Sequence, residues 1–316
     1  MAALQELLVE IDHECIRGTL ERKVTDIVYD SRKVVPGSMF VCIPGAVVDG
    51  HKFAVDAVNA GAGTLLVEKD VELPEEADVT VIRVEDTHYA MAFVSAAFFG
   101  HPAEEMKIIG ITGTKGKTTT TYLVKSILEQ AGRKVGLIGT IEIIIGETHI
   151  HADHTTPESY LIQKYFRQMV DAGCDTVVME VSSQGLMLHR TQGFIFDLGI
   201  FTNLEPDHIG KGEHKDFEDY LNCKGLLFQQ CRTGIVNKDD AHWKAVTAGH
   251  TCELETYGID EDADIRAENI AFVREAGNLG MAFEVAGLMN FPAQIATPGK
   301  FSVYNALTAI AVCRHF

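Results

Sequence analysis

Several things are missing from this 316-residue chain, and each absence narrows what it can be. No apolar run approaches the roughly 18–20 residues that a membrane-spanning helix requires. The seven cysteines (Cys15, Cys42, Cys174, Cys223, Cys231, Cys252 and Cys313) include no C-x-x-C pair and are odd in number. That pattern argues against a disulfide frame or a zinc ribbon and fits a reduced set of thiols. The first residues, MAALQELLVEIDHE, carry acids early and lack both a basic region and a cleavage site, so a cytoplasmic protein is expected. Bases are scarce: 27 Lys and Arg stand against 45 Asp and Glu, for a net charge of −18. With no basic patch to offset it, such a surface repels nucleic acid and anionic lipid, and neither is expected as a partner. Internal repeats and low-complexity tracts are also absent.

What is present reads as two α/β domains, 1–104 and 105–316, with the Pro-containing link HPAEEM at the boundary. In the first, TDIVYDSRKV, SMFVCI, TLLVE and VTVIRV read as strands, and KFAVDAVNAG and YAMAFVSAAFF as helices. In the second, MKIIGI, KVGLIG, DTVVMEV and FDLGIFTN read as strands separated by the helical TYLVKSILEQAG, YLIQKYFRQMVDAG and FEDYLNCKGLLFQQ. Strands alternating with helices of this length predict a mostly parallel, doubly wound sheet. Beyond residue 250 the pattern predicts shorter strands with a hairpin at GNLG. The last segment, KFSVYNALTAIAVCRHF, begins an amphipathic helix with no stop signal, so further chain is expected after it.

Residues 108–124, IIGITGTKGKTTTTYLV, place a Gly-rich loop between a strand and a helix. Backbone N–H groups and the helix N-terminus are expected to wrap phosphates, with Lys117 as counter-charge and the Thr118 hydroxyl on Mg²⁺. The spacing departs from G-x-x-x-x-G-K-[ST], because Ile111 stands where the first Gly belongs and Gly110 and Gly113 flank it. Glu180 ends a buried strand, where a Mg²⁺ ligand belongs in such a sheet, although a solvent-facing Glu fits the spacing equally well. Asp207 and His208 follow another strand at the same predicted sheet edge. HIHADH at 149–154 reads as solvent-facing histidines, because no ligand set completes a metal site. Lys224 lies among apolar neighbours, and a buried neutral lysine is unusually reactive.

Taken in order, GITGTKGKTTT, DSR at 30–32, DGHKFAVDAVNAGA, HTTPES, MEVSS, LHR, TNLEPDH, YLNCKGLLF and FSVYNAL resemble the Mur ligase family, across essentially the whole chain. The resemblance implies an ATP-dependent amide ligase of peptidoglycan precursor synthesis. It would add a third residue, diaminopimelate or lysine, to UDP-MurNAc-L-Ala-D-Glu through an acyl phosphate. Gly113, Thr114, Lys115, Gly116, Lys117, Thr118 and Thr119 would hold ATP, with Asn305 at the adenine. The resemblance implies two Mg²⁺ sites: Thr118 and Glu180 at the first, His208 and Lys224 at the second, Lys224 as its carbamate. Lys117, His208 and Lys224 would be catalytic, and Ser31, Thr155, Thr156, Ser182 and Arg190 would contact the UDP-muramyl dipeptide.

This chain departs from the family pattern at Lys115 (for Asn), Gln184 (for His), Leu188 (for Gln) and Ser302 (for Asn). It also reads IGKGEH where the pattern has LDYH. The family's third, Rossmann-like domain is expected to be absent, and the chain alone is expected not to complete the ligation. Three other readings stay open on the residues alone: a folylpolyglutamate-synthase-like ligase, a non-catalytic module binding nucleotide or UDP-muramyl peptide, and a generic phosphate-loop NTPase.

Overall fold

The structure is a computed structural model that describes residues 1–45, 48–207, 209–210, 213–275 and 278–316. The chain forms two units. The first comprises Met1–Pro102, Glu158–Arg167 and Leu188–Phe194, and the second comprises Ala103–Pro157, Gln168–Met187 and Ile195–Phe316.

The first unit is built on a 5-stranded sheet of β1 (Glu14–Arg17), β2 (Ile27–Val28), β3 (Met39–Val41), β4 (Thr64–Val67) and β5 (Thr80–Arg83). Their order is β1-β5-β4-β3-β2, antiparallel at β1 and parallel elsewhere. Side chains alternate across a strand, so continuous apolar runs bury both faces. Met39, Val41, Leu66 and Ile82 join one core with Leu4 and Leu7, and with Met91 and Val94 of helix α1 (Thr87–Phe98). Phe40, Leu65, Val67 and Val81 join the other with Ala54 and Ala57. The expectation of one strand through TDIVYDSRKV is corrected here. Within it only Ile27–Val28 is strand, because the Asp30 carboxylate accepts the Arg32 N–H at 3.1 Å and winds Ser31–Lys33 into a 3₁₀ turn.

The second unit holds an 11-stranded sheet. Its strands are β6 (Lys107–Thr112), β7 (Val135–Ile138), β8 (Glu142–Ile145), β9 (Thr148–His151), β10 (Thr176–Glu180), β11 (Phe196–Phe201) and β12 (Cys231–Asn237), then β13 (Glu253–Gly258), β14 (Ile265–Glu275), β15 (Asn278–Gly287) and β16 (Phe291–Ile295). The order is β9-β8-β7-β10-β6-β11-β12-β13-β14-β15-β16. From β7 through to β14 every neighbouring pair is parallel, and the pairs outside that stretch are antiparallel.

The fold is thus mixed α/β, its large sheet mostly parallel as expected, with antiparallel pairs at both edges. Two of the strands after residue 250 are longer than expected, β14 reaching 11 residues and β15 reaching 10. Ala276 and Gly277, at the expected hairpin tip, lie outside the described residues, but Glu275 pairs with Asn278 across it. Helices α2 (Lys117–Gln130) and α5 (Lys300–Cys313) share a core with Ile109, Ile111, Val178 and Ile200 of the central strands. Helix α3 spans Ser159–Asp171, and α4 (Phe217–Gly225) matters below. Among the described residues no helix is long and apolar enough to cross a membrane.

Candidate active site

The site is built where β6, β10 and β11 end at the start of α2, the edge at which open parallel sheets take ligands. Strand β6 runs through Ile111, whose side chain is fully buried in the core. That explains the departure from the standard loop spacing: the chain is still strand at Ile111. Gly110 also belongs to the strand, where a Cβ would lie 2.6 Å from the Phe196 ring. The loop starts at Gly113. There φ is 149°, and a Cβ would meet Thr202 Oγ1 at 1.9 Å, so only glycine fits. Gly116 has φ 86° and caps α2 with no side-chain hydrogen bond; a Cβ there would lie 2.6 Å from Asn305 Oδ1.

The loop is held from below by β11 and the residues after it. Thr114 N–H donates to the Asn203 carbonyl at 2.9 Å. Lys115 N–H donates to Asn203 Oδ1 at 2.8 Å, while Asn203 Nδ2 and Thr202 Oγ1 donate to the Lys115 carbonyl at 3.0 and 2.9 Å. The backbone groups of Thr114 and Lys115 are therefore satisfied by Thr202 and Asn203, which fixes the loop conformation. Lys115 itself is exposed and pairs with Asp207 at 3.2 Å. Lys117 folds back over the loop, Nζ donating to the carbonyls of Gly113 at 2.8 Å and Thr114 at 3.2 Å. Burial holds its pKa below the ordinary lysine value, against the pull of the Glu180 charge.

Glu180 is fully buried at the end of β10. Thr118 Oγ1 donates to its Oε2 at 3.0 Å, Thr140 Oγ1 to the same oxygen at 3.0 Å, and the Thr140 N–H to Oε1 at 2.9 Å. The carboxylate is thus pinned with its oxygens toward the first turn of α2. Thr155 Oγ1 lies 3.0 Å from Thr140 Oγ1, and the buried Thr156 hydroxyl donates to the Glu180 carbonyl at 3.0 Å and accepts the Ser182 N–H at 2.9 Å. Ser182 Oγ in turn accepts from the Gly185 N–H.

Lys224, on α4, is 1% exposed, so the side chain expected among apolar neighbours is fully buried. Its Nζ donates to the Gly113 carbonyl at 3.2 Å and lies 4.4 Å from the centre of the Tyr220 ring. Burial, and then the nearby Lys117 charge, push its pKa well below the ordinary lysine value. Tyr220, one helical turn earlier, hydrogen-bonds Thr114 Oγ1 at 3.1 Å.

Most residues singled out in the sequence therefore meet at one edge: Gly113 to Thr118, Glu180, Thr155, Thr156, Ser182, Lys224 and, beside Gly116, Asn305. Thr119 is exposed on the first turn of α2. His208 lies outside the described residues. Ser31 and Arg190 belong to the first unit, where Arg190 pairs with Glu158 at 2.5 Å. The histidines of HIHADH are mostly exposed, His149 pairing with Glu142 at 2.7 Å. Sequence reasoning missed Thr140, Thr202, Asn203 and Tyr220. Only Tyr220 left a signal, four residues before Lys224 on one helix. A cavity of about 150 Å³ opens beside Asn305, lined by Asn203, Asp239, Phe301 and Tyr304 among others.

Sequence profiles match in two places: "Mur ligase family, catalytic domain" over residues 23–115 and "Mur ligase middle domain" over 111–313. The chain is 43% identical over 319 residues to the UDP-N-acetylmuramoyl-L-alanyl-D-glutamate–2,6-diaminopimelate ligase of Clostridium perfringens, covering 99% of this chain and 64% of that protein. It is 40% identical over 298 residues to the ligase of the same name from Listeria monocytogenes, covering 92% and 59%. A solved structure of a ligase of that name superposes with a TM-score of 0.85 at 22% identity, covering 99% of this chain and 63% of that one. MurF ligase from Thermotoga maritima in complex with ADP gives 0.60 at 18% identity, covering 92% and 62%. The chain thus spans somewhat less than two thirds of the length of the curated relatives it matches.

Proposed function

This chain belongs to the Mur ligase family, and from that premise we propose that it works in an ATP-dependent ligase extending the stem peptide of a peptidoglycan precursor. The acceptor in this reading is UDP-MurNAc-L-Ala-D-Glu. The incoming amine is a diamino acid, with 2,6-diaminopimelate favoured over lysine because the relatives carry that name. Residues 1–104 take the UDP end of the acceptor, and residues 105–316 take ATP. The observation that carries the reading is the bond from Thr118 to the buried Glu180 at the mouth of the loop closed by Lys117.

The residues fit the groups assigned to them. Gly113 and Gly116 let the loop pass close to Thr202 and Asn305, and the loop leads into the N-terminus of a 14-residue helix, the kind of site that takes a polyphosphate. Thr118 and Glu180 offer hard oxygen donors of the kind Mg²⁺ takes. When bound, ATP supplies the phosphoryl group that activates the D-Glu carboxylate, and Mg²⁺ supplies positive charge beside it. Lys117 adds a cation at the loop, and Asn305 borders the place assigned to the adenine. Lys224, whose charged form burial disfavours, is assigned to take up CO₂ as a carbamate and become, with His208, an anionic partner for a second Mg²⁺. Thr155, Thr156 and Ser182 in the second unit, and Ser31 and Arg190 in the first, are assigned to the UDP-muramyl dipeptide. The acceptor carboxylate displaces ADP at the γ-phosphorus, and the amine then displaces phosphate from the acyl carbon, leaving an amide.

Titration calorimetry with UDP-MurNAc-L-Ala-D-Glu, using UDP-MurNAc-L-Ala and a folate as controls and ATP with and without Mg²⁺ in parallel, tests this directly. Selective binding of the dipeptide form and Mg²⁺-dependent binding of ATP are expected. Preference for the folate, or ATP binding indifferent to Mg²⁺, would overturn it.

A further inference from the structure

Outside the groups assigned above, the second unit holds a fully buried histidine whose two ring nitrogens are both engaged. His214 Nε2 lies 2.7 Å from Ser183 Oγ, and Nδ1 lies 3.0 Å from Asp219 Oδ2. The order Asp219–His214–Ser183 has the hydrogen-bond pattern of a nucleophilic relay, but Ser183 is 4% exposed and so closed to a substrate. The arrangement makes sense as a brace. Ser183 comes three residues after Glu180, at the start of the short helix Ser183–Met187. Asp219 lies on α4, the helix that carries Lys224. The His214 ring also packs on Tyr220 with 5.1 Å between ring centres, and Tyr220 reaches Thr114 of the phosphate loop.

Helix α4 needs such a brace. It has 9 residues, too few to hold a fixed register in water by its own hydrogen bonds. Asp216 caps its start by accepting the Asp219 N–H at 2.8 Å. Beyond the cap, its place relative to the loop rests on Tyr220 with Thr114, Lys224 with Gly113, and Asp219 with His214. Of these only the last ties α4 to the chain that follows Glu180. The His214 carbonyl also accepts the Gly210 N–H at 3.1 Å, which fastens the segment directly after position 208.

We propose that His214 is a positioning residue: through Ser183 and Asp219 it sets the distance between the Glu180 end of β10 and Lys224, and so the separation of the two cation-holding sides of the site. This rests on the reading of Glu180 and Lys224 given above. Bracing partners of this kind change metal affinity by about tenfold or more when they are lost.

The test is a double-mutant cycle on the intact chain, with Mg²⁺-dependent ATP binding measured by calorimetry below the melting temperature of every variant. His214→Gln and Lys224→Ala should each weaken binding in the presence of Mg²⁺ by about tenfold or more, and His214→Gln should leave metal-free ATP binding unchanged. The double variant should be no weaker than Lys224→Ala alone. Ser183→Ala, which removes one hydroxyl from the brace, should give a smaller loss of the same kind and keeps the test open if His214→Gln fails to fold. Losses that add, or a His214→Gln or Ser183→Ala effect equal with and without Mg²⁺, would overturn the proposal. Wild-type protein that binds ATP without regard to Mg²⁺ would instead overturn the functional reading beneath it.

Discussion

Lys117 and Lys224 donate to the same acceptor, the carbonyl oxygen of Gly113, at 2.8 and 3.2 Å. Two full ammonium charges so close in a buried place repel strongly, and burial already disfavours both. The conflict falls on Lys224, whose pKa is driven well below its usual 10.5 by burial first and by Lys117 second. A buried amine whose charged form is disfavoured and that makes one hydrogen bond is a poor element of stability.

Lys224→Met should therefore raise stability by about 1 kcal/mol, since a buried polar group is exchanged for an apolar one of similar length. Urea unfolding at neutral pH measures it. The same variant should lose Mg²⁺-dependent ATP binding. A Met variant that is less stable than the wild type would show that the amine is better paired than its position suggests.

Gly113→Ala tests the loop from its tightest point. A Cβ at 1.9 Å from Thr202 Oγ1 cannot be accommodated without moving Thr202 or the loop, and Thr202 also holds the Lys115 carbonyl. ATP affinity should fall by at least tenfold, about 1.4 kcal/mol, with the sheet intact by circular dichroism. Gly110→Ala makes a useful contrast. Its Cβ would strike the Phe196 ring, so the expected damage is to stability, with nucleotide affinity retained in the protein that remains folded.

Glu180→Gln keeps the size of the side chain but turns one acceptor oxygen into an amide donor. Three donors face the native carboxylate, from Thr118 and twice from Thr140, so the new amide either leaves the Thr140 N–H unmet or turns the two hydroxyls round to accept, taking their protons off this acceptor. A destabilisation of about 1–3 kcal/mol is expected from the unmet buried donor. Mg²⁺ should no longer strengthen ATP binding, while the metal-free affinity stays within a few-fold. Unchanged Mg²⁺ dependence would move the metal site away from Glu180.

How far the sequence carries can be judged on particular residues. Gly113, Lys117, Thr118 and Glu180 were legible because strand, loop and helix follow one another locally, and the sheet edge then brings the ends of β6 and β10 together. Thr140 was not. It precedes β8, an antiparallel strand that turns back beside β7 and lies between it and β9, and nothing in its neighbours marks a threonine that donates twice to a distant acid. The strand through DSR failed because β-branched and aromatic residues around Tyr29 outweighed the capping tendency of Asp30. The long hairpin of β14 and β15 was read as short strands because polar residues on both strands interrupt the alternation that signals a half-buried sheet. Local chemistry was readable, whereas pairings across many residues were not.

The turn at Asp30 supplies a prediction with a defined pH range. Arg32 donates to the Asp30 carboxylate from Nε at 2.9 Å and from its terminal nitrogen at 2.8 Å, and its backbone N–H adds a third bond. These hold the Asp30 pKa at about 2 instead of 3.8, the side-chain bonds being the main cause. For a depressed acid, the stabilisation is complete above the unfolded value of 3.8 and is lost as pH falls through about 2. Arg32 is 87% exposed, so solvent screens the pair and the contribution to global stability should be slight. The local effect is the measurable one. In carboxyl ¹³C NMR titrations Arg32→Gln should move the Asp30 midpoint up toward 3.8, stopping short of it because the backbone N–H still donates. Ser31, assigned above to the UDP-muramyl substrate, sits on this turn. Affinity for that substrate should accordingly be flat across neutral pH and fall only when Asp30 begins to protonate. An Asp30 midpoint that ignores Arg32→Gln would show that the turn holds its shape through the backbone alone.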